Sequence, residues 1–151
     1  MNTIYHQVLI DAPREVVFDA ITLQDGLSKW WIDQCIAKPE LGFVNVFEAS
    51  GFFVNKMKIV DFKQDAFLEW KCIESIDEWL GTGITFNLVK VDDHTKLDFK
   101  HAGWRNITEF YAVCNFHWGR HLLMLKALCE TGLDQVNPEF EIQENLKAKL
   151  N

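Results

Sequence analysis

Ile4, His6, Val8 and Ile10 alternate with Tyr5, Gln7 and Leu9, the period of two that sets one face of a strand against a core. The strand stops at Asp11-Ala12-Pro13. Proline suits the first turn of a helix, and Val16, Val17, Ala20 and Ile21 then recur at helical spacing, which predicts a short helix over 13–22. A second short helix is predicted over about 25–31, ending in Trp30-Trp31. From 43 to 103 the pattern returns to alternation, broken by turn signals at Ser50-Gly51, Gln64-Asp65 and Asp92-Asp93-His94. Leu68, Trp70 and Cys72 share one face there, as do Ile84, Phe86 and Leu88, and Leu97, Phe99 and His101. Successive hairpins of this kind make an antiparallel meander, so the fold class is α+β with a sheet of six to seven strands.

Asn106-Ile107-Thr108-Glu109 reads as a capping box with Asn106 as the cap. A long helix should follow and run to Gly132, a residue suited to the left-handed conformation that ends helices. At about 100° per residue, Phe110, Cys114, His117, His121, Leu125 and Leu128 fall on one stripe, flanked by Tyr111, Trp118, Leu122 and Met124. The stripe faces the sheet and carries two imidazoles inward. His101 is in phase with Leu97 and Phe99, and His6 with Ile4 and Val8. The chain thus divides into one domain over 1–132 and a polar extension over 133–151.

A buried histidine can be neutral and bonded to a carbonyl or hydroxyl, or it can orient a ligand in an apolar cavity. His117 and His121 stand one turn apart, a spacing able to chelate zinc. The intervening Trp118-Gly119-Arg120 lacks the glutamate of the metalloprotease helix, and spacing fixes no third ligand, so no metal is expected. Acid/base catalysis by either ring is chemically open near neutral pH, although no nucleophile or carboxylate is evident beside them.

Composition sharpens the picture in one respect: 12 Phe and 6 Trp stand against 2 Tyr. Rings of that size fill a core or line a cavity for an apolar ligand. Trp70 and Trp118 are the better lining candidates, whereas Trp79 and Trp104, near loops, could mark a mouth or a protein contact. The net charge of -7 is spread along the chain without a Lys/Arg stripe, which argues against nucleic acid and anionic membrane as partners. Cys35, Cys72, Cys114 and Cys129 are scattered without C-x-x-C spacing and read as small buried hydrophobes in a reducing compartment. Glu69, Glu74, Asp77 and Glu78 read as a solvated strand edge and turn. Neither a basic start followed by an apolar stretch nor a long apolar run occurs, so a cytoplasmic location is expected.

Ile10-Asp11-Ala12-Pro13 with Val16-Val17-Phe18-Asp19-Ala20-Ile21 and Leu27-Ser28-Lys29-Trp30-Trp31 resembles the opening of START-like (SRPBCC) domains. The branch is the one named for the activator of heat-shock-protein-90 ATPase. Gly103-Trp104, His117-Trp118-Gly119-Arg120-His121-Leu122, Leu125-Lys126-Ala127-Leu128 and Glu130-Thr131-Gly132 resemble the closing helix of that branch. The resemblance implies a helix-grip fold, in which a curved antiparallel sheet wraps the long C-terminal helix and two short helices follow the first strand. It implies no shared catalytic residues, and no cofactor is expected.

Three functions follow as expectations. The first is a pocket for a small hydrophobic or amphipathic molecule, walled by Phe47, Trp70, Phe86, Phe99, Phe110, Cys114 and Trp118, with His101, His117 and His121 as polar contacts. The second is a cyclase or dehydratase using His117 or His121. The third is an interaction module resembling the chaperone activators, with a chaperone as partner.

Overall fold

A computed structural model describes residues 1–49 and 53–132. The expected turn at Ser50-Gly51 and the extension from 133 to 151 lie outside them. β1 (Asn2–Ile10) is followed by α1 (Arg14–Thr22), α2 (Gln24–Trp30), β2 (Gln34–Ile36), β3 (Val44–Ala49), β4 (Phe53–Lys63), β5 (Phe67–Glu74), β6 (Gly83–Val91), β7 (His94–Trp104) and α3 (Glu109–Thr131). The seven strands form one antiparallel sheet in the order β1-β7-β6-β5-β4-β3-β2. The meander runs outward from β7 to β2 along the sheet, and β1 returns to the far side of β7. Register shifts between Lys56 and Met57 and between Ile59 and Asp61 in β4 bend the ladder, as bulges do.

The strands form where the alternation predicts, because one residue in two meets apolar neighbours. Leu68, Trp70 and Cys72 of β5, Ile84, Phe86 and Leu88 of β6, and Leu97, Phe99 and His101 of β7 are all buried. Asp65 and Asp92 adopt positive φ at the two polar turns, a conformation short polar side chains tolerate. β2 has only three residues and no pattern of its own, and the sequence reading passes over it.

α1 and α2 pack tightly because residue 26 is glycine. A Cβ there would lie 2.6 Å from Ala20 Cα and 2.8 Å from Ala20 O. α3 packs along β1 and against both short helices. His6 Nε2 bonds Asn115 Oδ1 at 2.9 Å, Lys126 Nζ donates to Leu9 O at 2.6 Å, and Asp11 N–H donates to Glu130 Oε2 at 2.7 Å. These contacts cover the free edge of β1, which would otherwise present unpaired backbone groups. No helix among the described residues is long and apolar enough to cross a membrane.

Two details of α3 differ from the sequence reading. The cap is Thr108, whose Oγ1 accepts from Tyr111 N–H at 3.1 Å, and Asn106 is exposed in the preceding turn. Arg105 is bonded to Asp77 at 2.9 Å there, and helical geometry begins only after Thr108, two residues later than the capping box implied. The buried face is also rotated. Cys114, Trp118, Leu122, Met124 and Leu125 are buried, whereas His117 and His121 are half-buried on its flank. Gly132 ends the helix at φ 71°, as expected.

Candidate functional site

The interior between sheet and α3 is built from rings, each placed by its element. Alternation on β5, β6 and β7 turns Trp70, Phe86 and Phe99 inward, and the register sets Phe86 opposite Phe99 with their centroids 5.3 Å apart. Trp70 meets Phe86 edge-on at 5.1 Å and Phe47 of β3 at 5.6 Å. Trp118 comes down from α3 onto Phe99 at 4.6 Å. Fully burying one such ring contributes about 1.5–3 kcal/mol.

Trp31, the first residue beyond α2, reaches the middle of this group. Its ring lies 4.4 Å from Phe47, 5.7 Å from Trp70 and 5.2 Å from Trp118. Trp30, Trp70 and Trp79 are stacked on it within 24° of parallel. All six tryptophans are buried, Trp79 and Trp104 included. Those two therefore belong to the core.

His101 sits at the end of this cluster with its hydrogen bonds fully determined. Thr82 Oγ1 donates to Trp79 O at 2.6 Å, so it can only accept from His101 Nε2–H at 2.8 Å. His101 Nδ1 is then the acceptor for Trp118 Nε1–H at 3.1 Å. The ring is neutral with both nitrogens engaged, and burial pushes its pKa down to about 3. It joins the β5–β6 connection to α3, and it offers no base near neutral pH. His121 touches the ring of Trp118 at 5.9 Å and His117 that of the exposed Phe116 at 6.2 Å. Cys114 is buried on α3, and Phe110 packs on Trp104 at 6.1 Å, at the opposite end from Phe47.

The predicted lining residues thus separate into two groups. Phe47, Trp70, Phe86, Phe99, His101 and Trp118 are linked ring to ring around Trp31, Trp79 and one another, whereas Phe110, His117 and His121 stand toward the flanks of α3.

Residues 11–130 match the family described as Activator of Hsp90 ATPase homolog 1-like protein. The chain belongs to that family. The solution structure of the Aha1 dimer from Colwellia psychrerythraea is 32% identical and superposes with a TM-score of 0.81, over 87% of this chain and 98% of that one. A protein from Mesorhizobium loti is 20% identical with a TM-score of 0.75, over 84% and 96%. CalU16 from Micromonospora echinospora is 17% identical with a TM-score of 0.70, over 95% and 82%. The last two share the fold. No curated protein matches the chain at a significant level. The START-like, helix-grip architecture expected from the sequence is the one observed, with seven strands, two short helices after β1 and a long closing helix.

One chemical feature of this family member escapes sequence reading. Among the described residues, five buried side-chain nitrogens have no hydrogen-bond partner: Nδ2 of Asn45 and Asn55, and Nε1 of Trp70, Trp79 and Trp104. Every one is a donor. Buried indole N–H groups are ordinarily bonded, and leaving one unmatched costs about 1–3 kcal/mol. Asn45 and Asn55 have committed their oxygens, the first to Lys38 N–H at 3.3 Å and the second to the Ser75 hydroxyl. Asn55 is the cross-strand partner of Phe47. Near the far end, a surface cleft of about 360 Å³ lies over Trp104, lined by Asp77, Glu78, Arg105 and Asn106. The expected acidic edge is engaged here, since Asp77 pairs with Arg105 and Glu78 accepts from Thr108 at 2.6 Å.

Proposed function

We propose that the chain binds a small hydrophobic or amphipathic molecule between the sheet and α3. The observation that carries this reading is the pairing of a large aromatic interior with buried donors that the protein leaves unmatched. Ligand sites are mostly apolar with a few polar groups that fix orientation, and Trp70, Trp79 and Asn55 supply both. The helix-grip fold supports the reading. Intrinsic tryptophan emission tests it. Titration with fatty acids, sterols and fused-ring aromatics should quench or shift the emission and raise the melting temperature for at least one class. Silence in both measurements across that panel overturns it. A cyclase-type activity would fall to His117 or His121, since His101 is held neutral with both nitrogens bonded.

A specific observation favours a second reading, contact with a chaperone. Val113, Phe116 and Leu123 form an exposed apolar row on the outer side of α3, with Arg120 over the Phe116 ring at 5.8 Å. The family description and the 32% identity to Aha1 support it. Phe116→Glu with Leu123→Glu should abolish stimulation of the chaperone's ATPase and leave ligand titrations unchanged. Unaltered stimulation removes this face from the argument.

A further inference from the structure

α3 leaves part of its apolar surface outside the core. Val113, Phe116 and Leu123 are 45%, 63% and 62% exposed, and their helical spacing, with Arg120 among them, sets them on one stripe opposite the buried Trp118 and Leu122. At 1.5 Å per residue the stripe is about 15 Å long. Contiguous exposed apolar side chains mark a contact site. Three of them are few against the about 800 Å² per partner that a stable association between separate chains buries. They suffice for a segment tethered beside them, because a short tether holds it at an effective concentration of about millimolar.

The chain itself delivers such a segment to this helix. α3 ends at Gly132 with φ 71°, the left-handed conformation by which a chain turns away from a helix end. The sequence beyond carries a second helix signal. Asn137 suits a cap and Pro138 the first helical position, with Glu139 and Glu141 in the first turn and Lys147 and Lys149 in the last. Ile142, Leu146 and Leu150 recur every four residues, an apolar stripe about 12 Å long. Residues 133–137 leave a link within the about 2–8 residues that usually join neighbouring antiparallel helices. An antiparallel course also matches the charges: the acidic start of the segment comes beside the half of α3 that holds Arg120, and its basic end runs toward Glu109 in the first turn. We infer that residues 137–150 form an amphipathic helix that folds back along α3 and lays Ile142, Leu146 and Leu150 on Val113, Phe116 and Leu123. The contact needs neither a pocket ligand nor a chaperone, so it stands apart from both readings above. A chaperone using the same face would meet it only once the segment is released.

The full-length chain with labelled methyl groups supplies the test. In dilute solution the Ile142 and Leu146 methyls should show nuclear Overhauser contacts to the Phe116 ring and the Leu123 methyls, and Ile142→Glu with Leu146→Glu should erase them. A second measurement keeps the segment's sequence intact. Phe116→Glu with Leu123→Glu puts charge on the exposed stripe alone, and chymotryptic cleavage after Phe140 should then run about tenfold faster than in wild type, since cleavage follows the population of the open form. Near-ultraviolet circular dichroism, which reads the buried tryptophans, should match wild type and certify the fold. Val113→Glu serves if the double variant loses that signal, and it too should speed cleavage. Absence of the contacts in wild type, or equal cleavage in wild type and the folded stripe variant, overturns the inference. Contacts and protection that grow with protein concentration give the stripe to a second copy of the chain and overturn it equally.

Discussion

Acid should destabilise this protein through His101 in a way a single substitution can isolate. The imidazole is buried, neutral and bonded on both nitrogens, and burial holds its pKa near 3 against an ordinary 6.5. The unfolded chain takes up a proton near the ordinary value while the folded chain does not. Stability from the neutral ring is therefore fully present above about pH 6.5 and is lost as pH falls toward about 3. The slope approaches about 1.4 kcal/mol per pH unit inside that window, so about 2–3 kcal/mol disappears between about pH 6 and 4. His101→Gln keeps amide donors and an acceptor but cannot titrate there. It should cost about 1–3 kcal/mol near neutrality, because the Trp118 N–H and Thr82 hydroxyl cannot both be matched as well by an amide. Urea unfolding, followed by tryptophan emission at about pH 7, 6, 5 and 4, gives both stabilities, and carboxylate titrations common to the two proteins cancel. The gap between wild type and variant should shrink steadily toward low pH. A gap independent of pH refutes the assignment of a buried neutral imidazole.

Three further outcomes follow from the packing. Gly26→Ala places a methyl against the Ala20 backbone at 2.6 Å and should lower stability by about 1–3 kcal/mol, with a change in near-ultraviolet circular dichroism because α2 carries Trp30 and leads into Trp31. Thr108→Ala removes the α3 cap and should cost about 1 kcal/mol in urea unfolding, whereas Asn106→Ala should be neutral; the opposite ranking would restore Asn106 as the cap. Burial raises the thiol pKa of Cys72 to about 11 and of Cys129 to about 12. Neither should be labelled by Ellman's reagent in the native protein near about pH 8, and both should react on unfolding; rapid native labelling at either site, mapped by peptide digestion, contradicts the packing.

Strands were legible in the sequence where alternation was strict. Leu97, Phe99 and His101 leave one choice of inward face, because a slip of one residue would bury Lys96, Asp98 and Lys100. α3 was legible as a helix and less so in its orientation. Apolar residues occur nearly all round it, with Val113, Phe116 and Leu123 exposed, so several stripes compete. Sheet curvature and α1 and α2 decide among them, setting Trp118 and Leu122 inward and the two histidines to the side. The inward direction of Phe47, Trp70, Phe86, Phe99 and Trp118 was readable, whereas Phe110 was placed among them and stands at the flank. Trp31's central place was not, because it depends on where the end of a short helix meets a sheet distant in sequence. The unmatched donors were invisible for a similar reason: Asn45 and Asn55 look like surface polar residues until the fold covers them.

The pairing of β1 with β7 also bears on how the chain is made. Residues 2–10 find their partners only at 95–104, and the β1 edge is covered only when α3 arrives. On a ribosome adding about 5–20 residues per second, the first strand waits on the order of 5–20 s for its neighbour. The hairpins from β3 to β7 need no such delay, since each pairs with the segment just before it. Nascent chains should thus carry a preformed β3–β6 meander while Trp30, Trp31 and an unpaired leading strand remain uncovered, and that interval is when the protein is most open to capture by holding factors.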